Sequence, residues 1–158
     1  MSDADDPLAR LVATHIYSPP AADAEAVLGR VTLFESVKPR DLKKLAREAH
    51  EISFDAGTTL TADHGFGTTF FVVADGSVGI EVGGLPVRTV GPGEFFGEMA
   101  LIDRDTRSAT ARALEATRCL VFSRRAFRPF AHDHPDVAWA LLELMVARLR
   151  QAEARSGA

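Results

Sequence analysis

Cysteine is almost absent from this chain of 158 residues, since Cys119 is its only one. No intramolecular disulfide can form, which fits a protein kept in a reducing compartment such as the cytoplasm. Cys119 opens the short apolar run Cys119-Leu120-Val121-Phe122. That setting favours a thiol that fills the core over a nucleophilic one.

A basic excess and long hydrophobic runs are also missing. The net charge is −4 at pH 7, so the chain has no overall basic footprint for nucleic acid. Residues 1–6 are acidic where a signal peptide would be basic. The most apolar stretch, residues 137–146, contains Glu143 and is far too short to cross a bilayer. The sequence predicts a cytoplasmic protein that is neither exported nor membrane-bound.

Hydrophobic residues make up 46% of the chain and charged residues 25%, as in ordinary globular proteins. A chain of this length is long enough to bury one core of useful size. We therefore predict a single domain, in which a helical N-terminal segment over residues 1–30 precedes the main body over residues 31–158.

Helical patterns occupy the first fifty residues of the sequence. Residues 7–15 predict a short helix, which Ser18-Pro19-Pro20 would end. Residues 21–28 predict a second helix with Gly29 as its stop. Pro39 opens a third. Its expected buried face consists of Leu42, Leu45, Ala46 and Ala49.

The middle of the chain has the pattern of short strands. Turn signals recur there every eight to eleven residues, and the runs between them are rich in Phe, Val, Ile and Thr. Such punctuation is typical of a sandwich, barrel or jelly roll. The predicted strands are residues 69–73, 77–82, 108–113 and 118–122.

The last third returns to helical patterns. Ser123 can cap a short helix through Phe127, which Pro129 is expected to limit. A longer helix is predicted from about Pro135 to Arg155. Its expected apolar stripe consists of Val137, Leu141, Leu142, Met145 and Leu149. The predicted architecture is therefore helices, then a β-roll, then helices.

One segment, residues 93–110, breaks the strand rhythm. A glycine leads into residues 98–102, which can form only about one helical turn, and Arg107 then enters the next strand. The N-terminus of a helix attracts phosphate, and the arginine fork matches two phosphate oxygens. A carboxylate such as Glu98 suits sugar hydroxyls instead. The segment therefore fits a ribose that carries a phosphate, although an ordinary surface salt bridge between Glu98 and Arg107 is an open alternative.

The string Phe96-Gly97-Glu98-Met99-Ala100-Leu101, six residues before Arg107-Ser108-Ala109-Thr110, resembles the phosphate-binding cassette of the cyclic-nucleotide-binding domain family. This family includes catabolite activator proteins, protein kinase A regulatory subunits and cyclic-nucleotide-gated channels. Three further segments resemble parts of the same domain. Leu33-Phe34 resembles its N-terminal helices, residues 70–78 its central hairpin, and residues 90–93 the lead into the cassette.

The resemblance implies a role for each residue of the cassette. Glu98 would bind the ribose 2′-hydroxyl and Arg107 the exocyclic phosphate oxygens, with backbone N–H groups around Gly97, Ala100 and Ala109 completing the cradle. Ser108 favours cAMP over cGMP as the ligand, and no other cofactor is implied. The implied ligand-binding residues are Phe96, Gly97, Glu98, Met99, Ala100, Leu101, Arg107, Ser108 and Ala109.

The resemblance also implies a fold and an output. The fold would be mainly β, a β-roll or jelly roll with N-terminal helices and a C-terminal helical lid, and residues 31–158 would form the cyclic-nucleotide-binding domain. Relatives often cap the base from the last helix. We expect a stand-alone sensor that relays ligand occupancy to a protein partner through that helix, with a possible homodimer through the same helix. The capping candidates are Arg148, Gln151, Glu153 and Arg155.

The sequence has features that bear on other functions. Too little sequence follows Arg155 for a helix-turn-helix, so direct DNA binding is not expected. The same fold with a different ligand, or none, could act as a protein-interaction module. A metal-dependent cupin-like enzyme is suggested by the His-x-His spacing of His132 and His134, but Pro135 follows at a helix start, which favours capping or surface roles. No catalytic constellation stands out, so the sequence predicts neither an enzyme nor a metal site.

Overall fold

A computed structural model describes residues 22–60, 69–98 and 109–156 of the chain. Helical segments come first, and they are α1 (Ala24–Gly29), a 3₁₀ turn (Thr32–Phe34) and α2 (Pro39–Arg47). Helix α1 confirms the second predicted helix, with Gly29 as its last residue. In α2 the predicted face is buried, while Ala49 is buried just beyond the helix end. The helix predicted over residues 7–15 and the stop at Ser18-Pro19-Pro20 lie outside the described residues.

Strands form the body of the molecule. The described residues contain two four-stranded antiparallel sheets, ordered β1-β8-β3-β6 and β2-β7-β4-β5. The four predicted strands are confirmed with small shifts at their ends, and the remaining ones were missed. The strands are β1 (His50–Phe54), β2 (Thr59–Leu60), β3 (Thr69–Asp75), β4 (Val78–Val82), β5 (Leu85–Val90), β6 (Phe95–Phe96), β7 (Ala109–Ala113) and β8 (Thr117–Ser123).

Strand β3 divides the core into two clusters, because alternate side chains point to opposite faces of a sheet. Phe70 and Val72 pack under the helices, whereas Phe71 and Val73 face the other sheet inside the roll. All four side chains are fully buried. This explains the unbroken apolar run in the sequence, since a strand covered on both faces needs no polar side.

The predicted hairpin of residues 70–78 is wrong, because β3 and β4 belong to different sheets. The chain crosses between the sheets at Gly76, whose φ is +98°. A β-carbon there would lie 2.5 Å from Thr117 Oγ1, so only glycine fits this close approach. Thr117 Oγ1 accepts from the backbone N–H of Ser77 at 3.2 Å, which fixes the crossing.

The prediction that Pro129 limits the helix after Ser123 is also wrong. Helix α3 (Arg124–Asp133) continues through Pro129. As predicted, Ser123 caps it by accepting a hydrogen bond from the backbone N–H of Ala126 at 3.1 Å. Proline costs one helical hydrogen bond here. Phe127 is buried, and its ring centroid lies 4.8 Å from that of Phe70. This aromatic packing offsets the lost hydrogen bond.

Helix α4 (Pro135–Arg155) has the predicted bounds but not the predicted single stripe. Val137 and Leu141 are buried in the core under the helices, whereas Leu142 and Leu149 are 52% and 59% exposed. Leu142 and Leu149 therefore do not belong to the face of the helix that packs on the core. Among the described residues, no helix is long and apolar enough to cross a membrane.

Candidate functional site

The first cassette residues are anchored to the roll by stacked aromatic rings. Phe95 and Phe96 form the short strand β6, which pairs with β3 through Phe71 and Val72. The rings of Phe96 and Phe71 lie parallel at 4.5 Å between centroids, and both are fully buried. This packing fixes where the chain leaves β6 and therefore where Gly97 and Glu98 lie.

Gly97 adopts a backbone conformation that other residues rarely take, with φ at +82°. A β-carbon at this position would lie 2.4 Å from the carbonyl oxygen of Thr69. The glycine therefore lets the chain turn tightly against β3. The turn directs Glu98 back into the protein instead of toward solvent.

Glu98 is the charged residue that this turn buries, and its side chain is only 2% exposed. Arg88 Nη2 donates to both of its carboxylate oxygens, at 3.2 and 3.4 Å. Arg148, which comes from α4, forms a second ion pair with the same carboxylate. Two guanidinium groups thus compensate for the burial of the carboxylate, which would otherwise be costly.

Arg148 connects the last helix to this site. Its guanidinium also lies over the ring of Phe95, 5.9 Å from the centroid. Burial, together with repulsion from Arg88, lowers the pKa of Arg148 to about 10, against an opposing effect of Glu94. At the C-terminal end of α4, Arg155 Nη2 donates to the carbonyl oxygen of Val87 at 3.1 Å. Helix α4 is therefore held against β5 and the cassette.

The predicted site residues have different outcomes in the structure. Phe96, Gly97 and Glu98 are brought together with two arginines, and Glu98 is buried instead of lying at the surface as a simple salt bridge would require. Ala109 begins β7. Of the four capping candidates, Arg148 and Arg155 contact the roll, while Gln151 and Glu153 are exposed. The residues that lie outside the described part are Met99, Ala100, Leu101, Arg107 and Ser108.

Arg88 was missed by the sequence analysis, although a signal for it exists. It stands two residues before Val90, and residues two apart in a strand share a face. Val90 is buried inside the roll, so its face is the inner one. An arginine on that face predicts a buried carboxylate opposite.

His134, one of the two histidines considered as metal ligands, has two partners within the protein. His134 contacts the Phe130 carbonyl oxygen through Nδ1 at 2.9 Å and Asp41 through Nε2 at 3.3 Å. No cluster suited to a metal ion occurs among the residues that the structure describes. Cys119 is fully buried, as predicted, and that burial raises the pKa of its thiol.

Known proteins match this chain in both sequence and structure. The family model of the cyclic nucleotide-binding domain matches residues 51–134. The CRP-like cAMP-activated global transcriptional regulator of Mycobacterium tuberculosis is 26% identical over 80% of this chain and 59% of its own length. The cAMP-dependent protein kinase regulatory subunit of Aspergillus niger is 31% identical over 72% of this chain and 28% of its own length. The catabolite activator protein of Thermus thermophilus superposes with a TM-score of 0.66 at 30% identity, over 78% of this chain and 60% of its own.

The chain belongs to the cyclic nucleotide-binding domain family, because the family model covers more than half of it. Its two antiparallel sheets with flanking helices are the β-roll of that family. The chain spans about 59% of the length of the first bacterial regulator and less of the kinase subunit. The part that the family model covers is the cyclic nucleotide-binding domain, and the predicted boundary between residues 30 and 31 stays a prediction.

Proposed function

We propose that this protein is a cyclic-nucleotide sensor that binds cAMP in preference to cGMP and relays occupancy through α4 to a protein partner. The observation that carries the proposal is the buried Glu98 carboxylate, which contacts Arg148 of α4 directly. One carboxylate thus adjoins both the cassette and the helix that would carry the signal. The names of several relatives, which are cAMP-activated or cAMP-dependent, support the choice of ligand.

Each cassette residue has a chemical role in this proposal. Glu98 accepts a hydrogen bond from the ribose 2′-hydroxyl, and Arg107 pairs with the phosphate oxygens through its planar fork. Backbone N–H groups near Gly97, Ala100 and Ala109 complete the phosphate cradle. Ser108 supports cAMP as the ligand, because threonine at this position is the version that favours cGMP in related proteins. None of these roles involves bond breaking, so we expect binding without turnover.

The relay follows from competition for one carboxylate. A ribose hydroxyl that binds Glu98 must share it with Arg148 or displace Arg148. Ligand therefore changes the contact that holds the middle of α4 against the roll. Since a ligand shifts an equilibrium only through contacts that differ between states, this exchange is a suitable source of coupling.

A second copy of the chain is the partner that α4 fits best. Trp139, Leu142, Val146 and Leu149 are 49–65% exposed, and they alternate at three- and four-residue spacing along one side of the helix. That spacing is the seam of a two-stranded coiled coil. We expect a homodimer through α4, which light scattering at several concentrations would detect. Leu142→Lys combined with Leu149→Lys should give a monomer.

A second candidate function is an interaction module that binds no cyclic nucleotide. It is favoured by one observation, namely that Arg88 and Arg148 already occupy both oxygens of Glu98. A carboxylate satisfied within the protein can be purely structural. Ligand titration separates the two functions, because only the sensor binds cAMP.

Calorimetry of the full chain with cAMP and cGMP tests the sensor directly. We expect cAMP to bind more tightly, and Arg107→Ala to weaken its binding by about 3–5 kcal/mol, which is at least two orders of magnitude in affinity. Arg104→Ala, in the same polar segment, is the control and should bind as the wild type does. Binding by a folded Arg107→Ala variant within threefold of wild type would contradict the phosphate assignment.

Hydrogen exchange tests the relay independently of affinity. Saturating cAMP should change amide exchange across Pro135–Arg155, and the fluorescence of Trp139, the only tryptophan, should change with it. Arg148→Met should raise exchange of α4 without ligand and reduce the change that ligand causes. If cAMP binds but exchange of α4 is unaltered, the output lies elsewhere.

A further inference from the structure

Arg88 lies on the inner face of the roll, in strand β5, which is not part of the cassette. In the pairing of β4 with β5, Arg88 is opposite Ile80, and Val90 is opposite Val78. Residues directly opposite in an antiparallel pair share a face of the sheet. Ile80, Val78 and Val90 are all buried inside the roll, so Arg88 points inward with them.

The contacts of Arg88 are directed at Glu98. Its Nη2 donates to both carboxylate oxygens, and its Nη1 lies 3.5 Å from the carbonyl oxygen of Phe95. The guanidinium therefore spans the residue that enters the cassette and the carboxylate that follows. Burial lowers the pKa of Arg88, against an opposing effect of Glu94. The group still remains charged at neutral pH, as guanidinium groups in proteins do.

The two arginines at Glu98 differ in where they are attached. Arg148 belongs to α4, the element that would move, whereas Arg88 belongs to β5, the last strand in the order of its sheet, which pairs with β4. When Arg148 leaves, a carboxylate that is 2% exposed needs another cation, since a buried isolated carboxylate takes up a proton. A protonated Glu98 would donate a hydrogen bond to a different partner, and it would be a weaker hydrogen-bond acceptor than the carboxylate.

We propose that Arg88 is the positioning residue that keeps Glu98 ionised and oriented toward the ligand hydroxyl when Arg148 is displaced. This inference rests on the proposed cyclic-nucleotide function and names a further determinant of the same site. Arg88 makes no contact with the ligand in this scheme. It acts through Glu98 alone, so its loss affects only ligands that present the 2′-hydroxyl.

The test uses calorimetry with cAMP and 2′-deoxy-cAMP on the full chain. Arg88→Met should bind cAMP about tenfold more weakly than wild type does, while its affinity for 2′-deoxy-cAMP changes less than twofold. Arg88→Lys should recover part of the loss, because lysine keeps one charged donor. Arg112→Met is the matched control, since Arg112 is an exposed arginine on β7 of the same sheet and its substitution should have no effect.

Each other outcome overturns the proposal in a recognisable way. Equal loss for both nucleotides shows a general structural role for Arg88, and tighter cAMP binding shows that Arg88 competes with the hydroxyl. If Arg88→Met does not fold, Arg88→Lys decides, because its ratio of the two affinities must still fall. Failure of the wild type to bind either nucleotide removes the proposed function itself, and this inference with it.

Discussion

Two charged centres in this protein have opposite compositions. At one end of the roll, one carboxylate, Glu98, is buried between Arg88 and Arg148. At the other, one guanidinium, Arg118, binds three carboxylates, those of Asp23, Glu51 and Asp75 at 2.8–3.1 Å. The Arg118 centre joins α1 to β1 and β3, and its side chain keeps 24% exposure. Both centres tie distant segments together, but they are suited to different tasks.

The two centres differ in whether a ligand could replace one of the partners of the central charged group. Arg118 uses three acceptors on elements packed against the core, and their combined hydrogen bonds raise its pKa. Arg118 needs no ligand to satisfy its guanidinium, and its partial exposure limits the free energy of folding that each hydrogen bond contributes. Glu98 is almost completely buried, so replacing one of its two arginine partners by a ligand would change the electrostatic energy of the carboxylate strongly. The Arg118 centre holds elements of the fold together, whereas we propose that the Glu98 centre responds to a ligand.

The largest expected effect on stability concerns the glycine that buries Glu98. Gly97→Ala forces a β-carbon to within 2.4 Å of the Thr69 carbonyl oxygen at a positive φ, so we expect the free energy of unfolding to fall by about 3 kcal/mol. Urea denaturation measures this loss. Gly83→Ala is the control, because Gly83 also has a positive φ but lies in open space, and about 1 kcal/mol is expected. Equal losses in the two variants would show that the close approach is unimportant.

Substitution of Glu98 tests the responsive centre. Glu98→Gln should weaken cAMP binding by roughly 1.5–3 kcal/mol, because a charged hydrogen bond becomes a neutral one. The variant should also discriminate poorly between cAMP and 2′-deoxy-cAMP in calorimetry. Glu51→Gln removes a carboxylate from the Arg118 centre instead and should leave cAMP affinity within twofold. Equal binding of both nucleotides by wild type would place Glu98 outside the ligand site.

Substitution of Arg118 tests how much the Arg118 centre contributes to stability. Arg118→Met should lower the free energy of unfolding by about 1–2 kcal/mol, the sum of several partly exposed ion pairs, without changing cAMP affinity. The hydrogen bond from Arg118 lowers the pKa of Asp23 despite some desolvation. The contribution of Asp23 is therefore present above its unfolded pKa near 4 and lost as the pH falls through the lower folded value. Urea denaturation from pH 7 to pH 3 should show wild type and variant converging in acid.

The smallest expected effect is a pH dependence at the junction of α3 and α4. Burial of His134 opposes its protonation, but hydrogen bonds to the Phe130 carbonyl and to Asp41 outweigh this and raise the pKa of His134. Its stabilising contribution is thus fully present below about pH 6.5 and is lost as the pH rises through the folded value. His134→Gln should lower Tm by about 1–2 °C at pH 6 and by less at pH 8.5. His132→Gln, at an exposed position, should show no such trend.

Local patterns predicted most of the elements of this fold, and long-range contacts account for the errors. Strand β3 was recognisable because its apolar run is dense, whereas β5, with Pro86 and Arg88, has too little apolar character to be noticed. The assumed pairing of β3 with β4 failed, since adjacency in sequence does not decide which sheet a strand joins. The prediction for Pro129 failed for a similar reason, because Phe127 packs against Phe70, which lies far earlier in the chain.

The sequence by itself indicated the family through short motifs and the β-roll class through the periodicity of its strands, while the roles of the cassette residues stay a prediction. It also predicted that Glu98 and Arg107 belong to one site, and because Arg107 lies outside the described residues this stays a prediction. Which arginines surround Glu98 was decided only by the tertiary structure, since Arg88 and Arg148 are 10 and 50 residues away from it along the chain. A buried carboxylate takes whatever cations the folded chain brings within hydrogen-bond distance, and that is a property of the packed sheets and of α4, not of any local pattern.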